Sequence, residues 1–340
     1  MTLTFEQIKE ITQGVEEIKS TFDGIQFFRF TEKELKHRKD VGNGDRSYSS
    51  AGVRLEFETD SKSLYIKFNV KATMQRVYMA LDVLVNGERI GSVRNSPEDD
   101  LLGTFFAINP YEWKDKVFEG KFELGEGTKK VSIYFPWNHV MCLKELTLDD
   151  GSFVKRAPRS KKMLVLGDSI THGFDAICPS RSYASLMTAA LDAEEYNKAI
   201  GGDKFCKEIA DTLEERTYDY VSIAYGTNDW CVYDYETAKK NCEEFFEIVE
   251  NKFKGSKFFV LGPIWRADYT DEMKFGKPFC EMEKMIFEIA SKYENTYCVP
   301  GFDLVDHDTA LYGDHKVHPN DNGFKQYAER LYSAIEKYID

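Results

Sequence analysis

Four short stretches of this chain carry the residue types that acyl-transfer chemistry needs. Gly167-Asp-Ser-Ile-Thr-His-Gly173 offers a hydroxyl at Ser169, and Gly201-Gly-Asp203 offers backbone N–H groups beside glycines. Gly226-Thr-Asn-Asp229 offers the amide of Asn228, and Asp314-His-Lys-Val-His-Pro-Asn320 offers the imidazole of His318 close to a carboxylate. Ester hydrolysis requires a nucleophile, a base to take its proton, and donors aimed at the oxyanion of the tetrahedral intermediate. An imidazole titrating near neutrality suits the base. Each residue taken singly has a plainer reading. Ser169 could be a helix cap, Asn228 a turn-forming residue, and Gly201 or Gly202 part of a β–α turn. His37, His139, His307 and His315 are weaker candidates, read as surface, packing or loop residues, and His172, three residues after Ser169, could line the site but would point away from attack geometry.

The elements that would position these residues follow from pattern. Apolar strand cores occur at 163–166, 220–224, 258–261 and 296–299, with a weaker one near 196–200. Helical stretches lie at 237–253, 281–293 and 322–338. Strand–helix alternation implies a mostly parallel sheet covered on both faces. All four stretches then fall at strand ends or before the last helix, along the sheet edge where ligands bind in such folds.

The first half has a different grammar. An amphipathic helix opens the chain: Thr4 and Gln7 have capping-box spacing, and Ile8, Ile11, Val15 and Ile18 recur at helical intervals. From Gly24 to Val154 strands take over, with Asn86-Gly87 marking a hairpin. Many strands and hardly any helix read as a β-sandwich. The expected organisation is an N-terminal helix at 1–20, a β-sandwich at 21–154, a basic Pro-containing linker at 155–162 and an α/β domain at 163–340.

Bulk properties narrow the function. The 340 residues carry a net charge of -13, which argues against binding to nucleic acid or an anionic membrane surface. No apolar run is long enough to span a bilayer, and the first twenty residues read as neither a signal peptide nor an anchor. Seven scattered cysteines, an odd number with no C-x-x-C pair, read as reduced thiols in a cytoplasmic protein. No His/Cys cluster has zinc-ligand spacing. No metal or cofactor is expected.

In order and spacing the four blocks resemble those of the SGNH (GDSL-type) hydrolase family over roughly residues 161–340. The resemblance implies a flavodoxin-like, doubly wound α/β domain. It makes Ser169 the nucleophile and His318 the general base, with an oxyanion hole from the backbone N–H groups of Ser169 and Gly202 and the side chain of Asn228. The family's orienting aspartate stands three residues before the histidine, where this chain has His315. Asp314, one residue earlier, could still reach His318 if 314–318 form a helical turn. The rival is a Ser-His dyad held by a backbone carbonyl, with Asp306 and Asp308 as weaker substitutes.

A β-sandwich ahead of such a domain resembles the two-domain carbohydrate esterases that remove O-acetyl groups, in which the first domain is jelly-roll-like. That implies a short-acyl ester on an oligosaccharide or small molecule as substrate. Trp265, Trp230 and Tyr225, with Tyr269, lie after or beside the expected strand ends, where rings could stack on a sugar or simply pack. A lysophospholipase or thioesterase on the same fold is one alternative, and a non-catalytic carbohydrate-binding protein with a decayed site is another. The sugar and the oligomeric state are left open.

Overall fold

Period-two alternation builds the first unit. Leu64, Ile66, Phe68 and Val70 of β5 (Ser63–Ala72) point inward, as do Leu55 and Phe57 of β4 (Arg54–Thr59) and Val131 and Ile133 of β9 (Lys129–Tyr134). The computed structural model describes residues 1–40, 42–73, 75–95, 116–268 and 273–339. They divide into two compact units. One contains Met1–Thr31, Gly44–Ser160 and Ile177–Ser180; the other contains Glu32–Asn43, Lys161–Ala176 and Arg181–Asp340.

The first unit holds two antiparallel sheets, an all-β sandwich. In one, β1 (Thr12–Gln13), β4, β9, β6 (Ala80–Val85) and β7 (Glu88–Arg94) lie in that order, and β11 (Lys155–Arg156) also pairs with β4. In the other the order is β2 (Glu17–Thr21), β3 (Gly24–Phe28), β10 (His139–Leu148), β5 and β8 (Lys116–Glu123). The β6–β7 hairpin turns at Asn86-Gly87, both in the left-handed region, as a two-residue hairpin loop demands.

Two expectations for this half are corrected. The opening helix, α1, spans only Phe5–Ile11, although its Thr4/Gln7 capping box is present. Gly14 has a positive φ, the chain leaves the helix, and residues 17–21 pair with β3 as a strand. Val15 and Ile18 pack on the sandwich core from there. The stretch 155–162 is largely structured and not a free linker. Arg159 Nε donates to Glu56 Oε2 at 2.7 Å, and Glu56 is fully buried. Burial alone would raise that carboxyl, but the hydrogen bond from Arg159 and the nearby Arg54 hold it at about 2.

The second unit is a five-stranded parallel sheet in the order β13 (Ala193–Asn197), β12 (Lys161–Gly167), β14 (Tyr220–Ala224), β15 (Lys257–Leu261) and β16 (Thr296–Val299). This is the flavodoxin-like 2-1-3-4-5 arrangement, with its switch point between β12 and β14. Leu164, Leu166, Val221, Ile223, Phe258 and Val260 share one core with helices Lys207–Thr212, Tyr235–Lys252 and Phe279–Ala290. The alternate residues Met163, Val165, Phe259 and Leu261 are equally buried and face the other way. Helices Tyr183–Ala190 and Asp321–Ile335 pack together, with the rings of Tyr183 and Tyr327 stacked 4.2 Å apart. A further helix, α2 (Glu32–Asp40), belongs to this unit despite its place in the first half. None of the seven cysteines is in a disulfide. No helix among the described residues is long and apolar enough to cross a membrane.

Candidate active site

β12 ends at Gly167, where an added Cβ would collide with the Thr171 side chain and lie 2.9 Å from the Ala224 carbonyl. Asp168 then caps a single helical turn, Ser169–His172, by accepting from the Ile170 N–H at 3.0 Å. Gly173, at φ 105°, stops it. Burial pushes the Asp168 carboxyl up to about 6. Ser169 is left at the carboxyl end of the strand, and its backbone N–H has no acceptor among the described residues.

Ser169 Oγ lies 2.8 Å from His318 Nε2, and His318 Nδ1 lies 2.6 Å from Asp314 Oδ2. Asp314 therefore reaches the imidazole, but through a different local structure from the helical turn considered above. Residues 313–318 form an irregular loop in which Asp314 Oδ1 accepts from the N–H groups of Lys316, Val317 and His318 at 2.9, 2.8 and 3.1 Å. His315 takes a positive φ of 58° and turns its ring to the Thr309 carbonyl, away from His318. Burial would raise the Asp314 carboxyl, but the hydrogen bond and charge of His318 outweigh it, helped by the backbone donors. The group stays well below the usual carboxylate range. An ionised Asp314 only accepts, so Nδ1 carries the proton and Nε2 is free to accept from Ser169.

A second carboxylate also faces this imidazole. Asp175 Oδ2 lies 4.0 Å from Nδ1, and Asp175 is buried. Asp175, Asp314 and His318 bring potential metal ligands within 4.8 Å of one another. The 2.6 Å bond between Asp314 and Nδ1 accounts for the closeness of two of the three. Phe174 walls the other side, its ring 5.4 Å from His318 and 5.6 Å from His172.

The two glycines after β13 have separate tasks. The Gly201 N–H donates to His172 Nδ1 at 3.2 Å, and a Cβ there would press to 2.7 Å from the Phe174 ring. Gly202 occupies the third position of a turn closed by Asp203 N–H to Ile200 O at 3.0 Å, with φ 91°. Gly202 is exposed, and its N–H has no acceptor among the described residues. Asn228, one residue into the helix Thr227–Val232 after β14, donates through Nδ2 to the Asp203 carbonyl at 3.0 Å. That bond orients the amide and leaves its second N–H available. Asp229 accepts from the Phe205 N–H at 3.1 Å, and burial pushes its carboxyl up to about 7.

The aromatic candidates separate. Trp230 is 0% exposed and packs on Phe279, with ring centroids 4.8 Å apart, so it is core and not a substrate platform. Tyr225 is 1% exposed because it continues the inward set Val221, Ile223 into the helix-covered core. That alternation was readable in the sequence. Trp265 is half-buried, stacked on His307 at 5.1 Å. Its loop is tied to the His318 loop by Tyr312 OH to Trp265 O at 3.2 Å and by Ala267 N–H to Lys316 O at 2.8 Å. Tyr269 lies outside the described residues. His139 is buried in the sandwich, where burial depresses its imidazole to about 3. His172 is the residue the sequence reading undervalued; its signal is its position one turn after Ser169, from which it reaches Gly201.

A hydroxyl hydrogen-bonded to an imidazole that is itself held by a carboxylate, at the switch point of a doubly wound sheet, is the arrangement of a serine hydrolase of α/β type. Residues 165–326 match the model of the GDSL-like lipase/acylhydrolase family, so the second unit is a domain of that family, an esterase or acylhydrolase fold. No curated protein matches the chain in sequence. Among solved structures it is similar to the salicylyl-acyltransferase SsfX3 from a tetracycline biosynthetic pathway. That likeness has a TM-score of 0.77 at 19% identity, over 96% of this chain and 94% of that one. It is also similar to a family two carbohydrate esterase from Cellvibrio japonicus (TM-score 0.63, 16% identity, 99% of this chain and 98% of that one). A family two carbohydrate esterase from Clostridium thermocellum, solved with cellohexaose, gives 0.62 at 15% identity over 85% and 93%. At these identities the likeness establishes the fold alone.

Proposed function

We propose that this protein is a serine esterase that removes short acyl groups, O-acetyl above all, from carbohydrates. The hydrogen-bonded series Ser169, His318, Asp314 carries the reading. Ser169 Oγ attacks the ester carbonyl while His318 Nε2 takes its proton, and Asp314 stabilises the imidazolium that results. The N–H groups of Ser169 and Gly202 and the amide of Asn228 receive the oxyanion. Collapse expels the sugar hydroxyl, protonated by His318. Water, deprotonated by the same imidazole, then releases the acid and restores Ser169.

The carbohydrate part rests on the fold shared with carbohydrate esterases and on Trp265. This half-buried ring stands on a loop whose backbone is fastened to the one that carries His318, and it can stack on a sugar. Inside the cytoplasm, the substrate would be an imported acetylated oligosaccharide or a small acetylated metabolite. The test is acetate release from acetylated xylo-, manno- and gluco-oligosaccharides, together with turnover of p-nitrophenyl acetate and octanoate. Acetate release from one sugar series, abolished by Ser169→Ala, is expected. Octanoate cleaved far faster than acetate would move the reading to a lysophospholipase or thioesterase. Sugar binding without hydrolysis would move it to a decayed esterase.

A further inference from the structure

Helix α2 lies outside the matched family segment, yet it supplies a buried cation to one of the site's loops. Arg38 is 2% exposed and its Nη1 lies 2.6 Å from Asp203 Oδ2; Asp203 is 4% exposed. Asn43 Nδ2 donates to Asp203 Oδ1 at 3.3 Å. Arg38 Nη2 also reaches the Lys198 carbonyl at 3.5 Å, and the buried Lys198 ammonium pairs with Glu34 of α2 at 2.9 Å. Both sides of the loop after β13 are therefore gripped by one helix.

The main chain of Asp203 touches two of the three proposed oxyanion donors. Its N–H closes the turn that presents Gly202, and its carbonyl accepts the amide of Asn228 at 3.0 Å. We propose that Arg38 is a positioning residue of the oxyanion hole, acting through Asp203 to hold the Gly202 N–H and the Asn228 amide in register. The inference rests on the esterase reading above. Without the guanidinium, the Asp203 carboxylate loses its closest cation in a site with almost no solvent. It must then take up a proton or swing outward. An outward swing moves the 202–203 peptide and the carbonyl that orients Asn228. Misplacement by an ångström at such donors costs about 100-fold in rate.

The experiment uses the full chain and compares Arg38→Met, Arg38→Lys, Asn228→Ala and the Arg38→Met/Asn228→Ala double variant, with Ser169→Ala as control. Two quantities are read: kcat and KM for p-nitrophenyl acetate, and affinity for methylboronic acid, which forms a tetrahedral adduct on the nucleophilic serine. Arg38→Met should lower kcat about 10- to 100-fold and weaken boronate binding in parallel, with KM changed less than about threefold. Arg38→Lys should recover most of the loss. With Asn228 already removed, Arg38→Met should cost less than it does in the parent, because the share of its effect that passes through that amide is gone and only the share through Gly202 is left. A folded Arg38→Met protein within about twofold of the parent in both readouts overturns the inference. So does an undiminished loss in the Asn228→Ala background. If Arg38→Met does not fold, Arg38→Lys decides: a drop in kcat of about 3- to 10-fold at constant KM supports the proposal, and parental kcat overturns it. Normal hydrolysis by Ser169→Ala would instead remove the esterase reading itself.

Discussion

Replacing Asp314 with asparagine should cost more activity than replacing it with alanine. Three backbone N–H groups, of Lys316, Val317 and His318, converge on Asp314 Oδ1 at 2.8–3.1 Å, and only an oxygen can satisfy them. In Asp314→Asn the amide oxygen must take that place, which turns the NH2 toward His318 Nδ1, now 2.6 Å from Oδ2. A donor there holds the imidazole in the wrong tautomer, with its proton on Nε2 facing Ser169. The base is then occupied, and the expected fall in kcat is about 10⁴-fold, or about 5 kcal/mol of lost transition-state stabilisation. Alanine leaves the tautomer free and removes a charge-assisted hydrogen bond of about 2 kcal/mol, for a fall nearer 30-fold. The buried Asp175, 4.0 Å from Nδ1, still faces the imidazole in that variant. The assay is p-nitrophenyl acetate hydrolysis at pH 7 under saturating substrate, with KM expected to change little. Equal activity of the two variants, or a more active asparagine variant, would refute the tautomer argument.

Three further outcomes follow. Asn228→Ala should lower kcat about 100- to 1,000-fold with little change in KM, as loss of one oxyanion donor does, and steady-state kinetics on the same ester check it. Asp229 is raised by burial to about 7 and has an oxygen without a hydrogen-bond partner among the described residues, so the native state holds its proton more tightly than the unfolded chain. Its stabilising contribution is complete below an unfolded pKa of about 4 and is lost as pH rises through 7, on the order of a few kcal/mol. Asp229→Asn should therefore flatten the decline in denaturant-measured stability between pH 5 and pH 8, and an unchanged decline would count against it. Trp265→Ala should raise KM for an acetylated oligosaccharide about 10-fold while leaving p-nitrophenyl acetate turnover near normal, because only the former has a ring to stack.

Much of this protein is readable from local sequence, and the rest is not, for identifiable reasons. Strand cores such as 220–224 and 258–261 stand out because a buried parallel strand is a short apolar run bounded by polar residues. The four chemical loops stand out because tight turns at strand ends demand glycine, and nucleophile, donor and base demand Ser, Asn and His. Even the turn at Asn86-Gly87 is a local affair of positive φ. Helix α2 was invisible because its buried face is Glu34 and Arg38, whose partners Lys198 and Asp203 lie more than 160 residues away. Periodicity scores apolar residues, so a helix that buries charge looks like surface. The same blindness made Arg159 look like linker when it grips the buried Glu56.

By itself, then, the sequence determined the fold class of each half and the residue types of the site. Those depend on neighbours a few positions apart. Tertiary structure alone decided that Asp314, displaced by one residue, still meets His318, through a loop in which its own backbone donors fix the carboxylate. It also decided that Trp230 and Tyr225 belong to the core while Trp265 does not, and that a helix from the first half holds the loop of Gly202. Each of these depends on which distant group fills the space opposite a side chain, a quantity that local spacing does not contain.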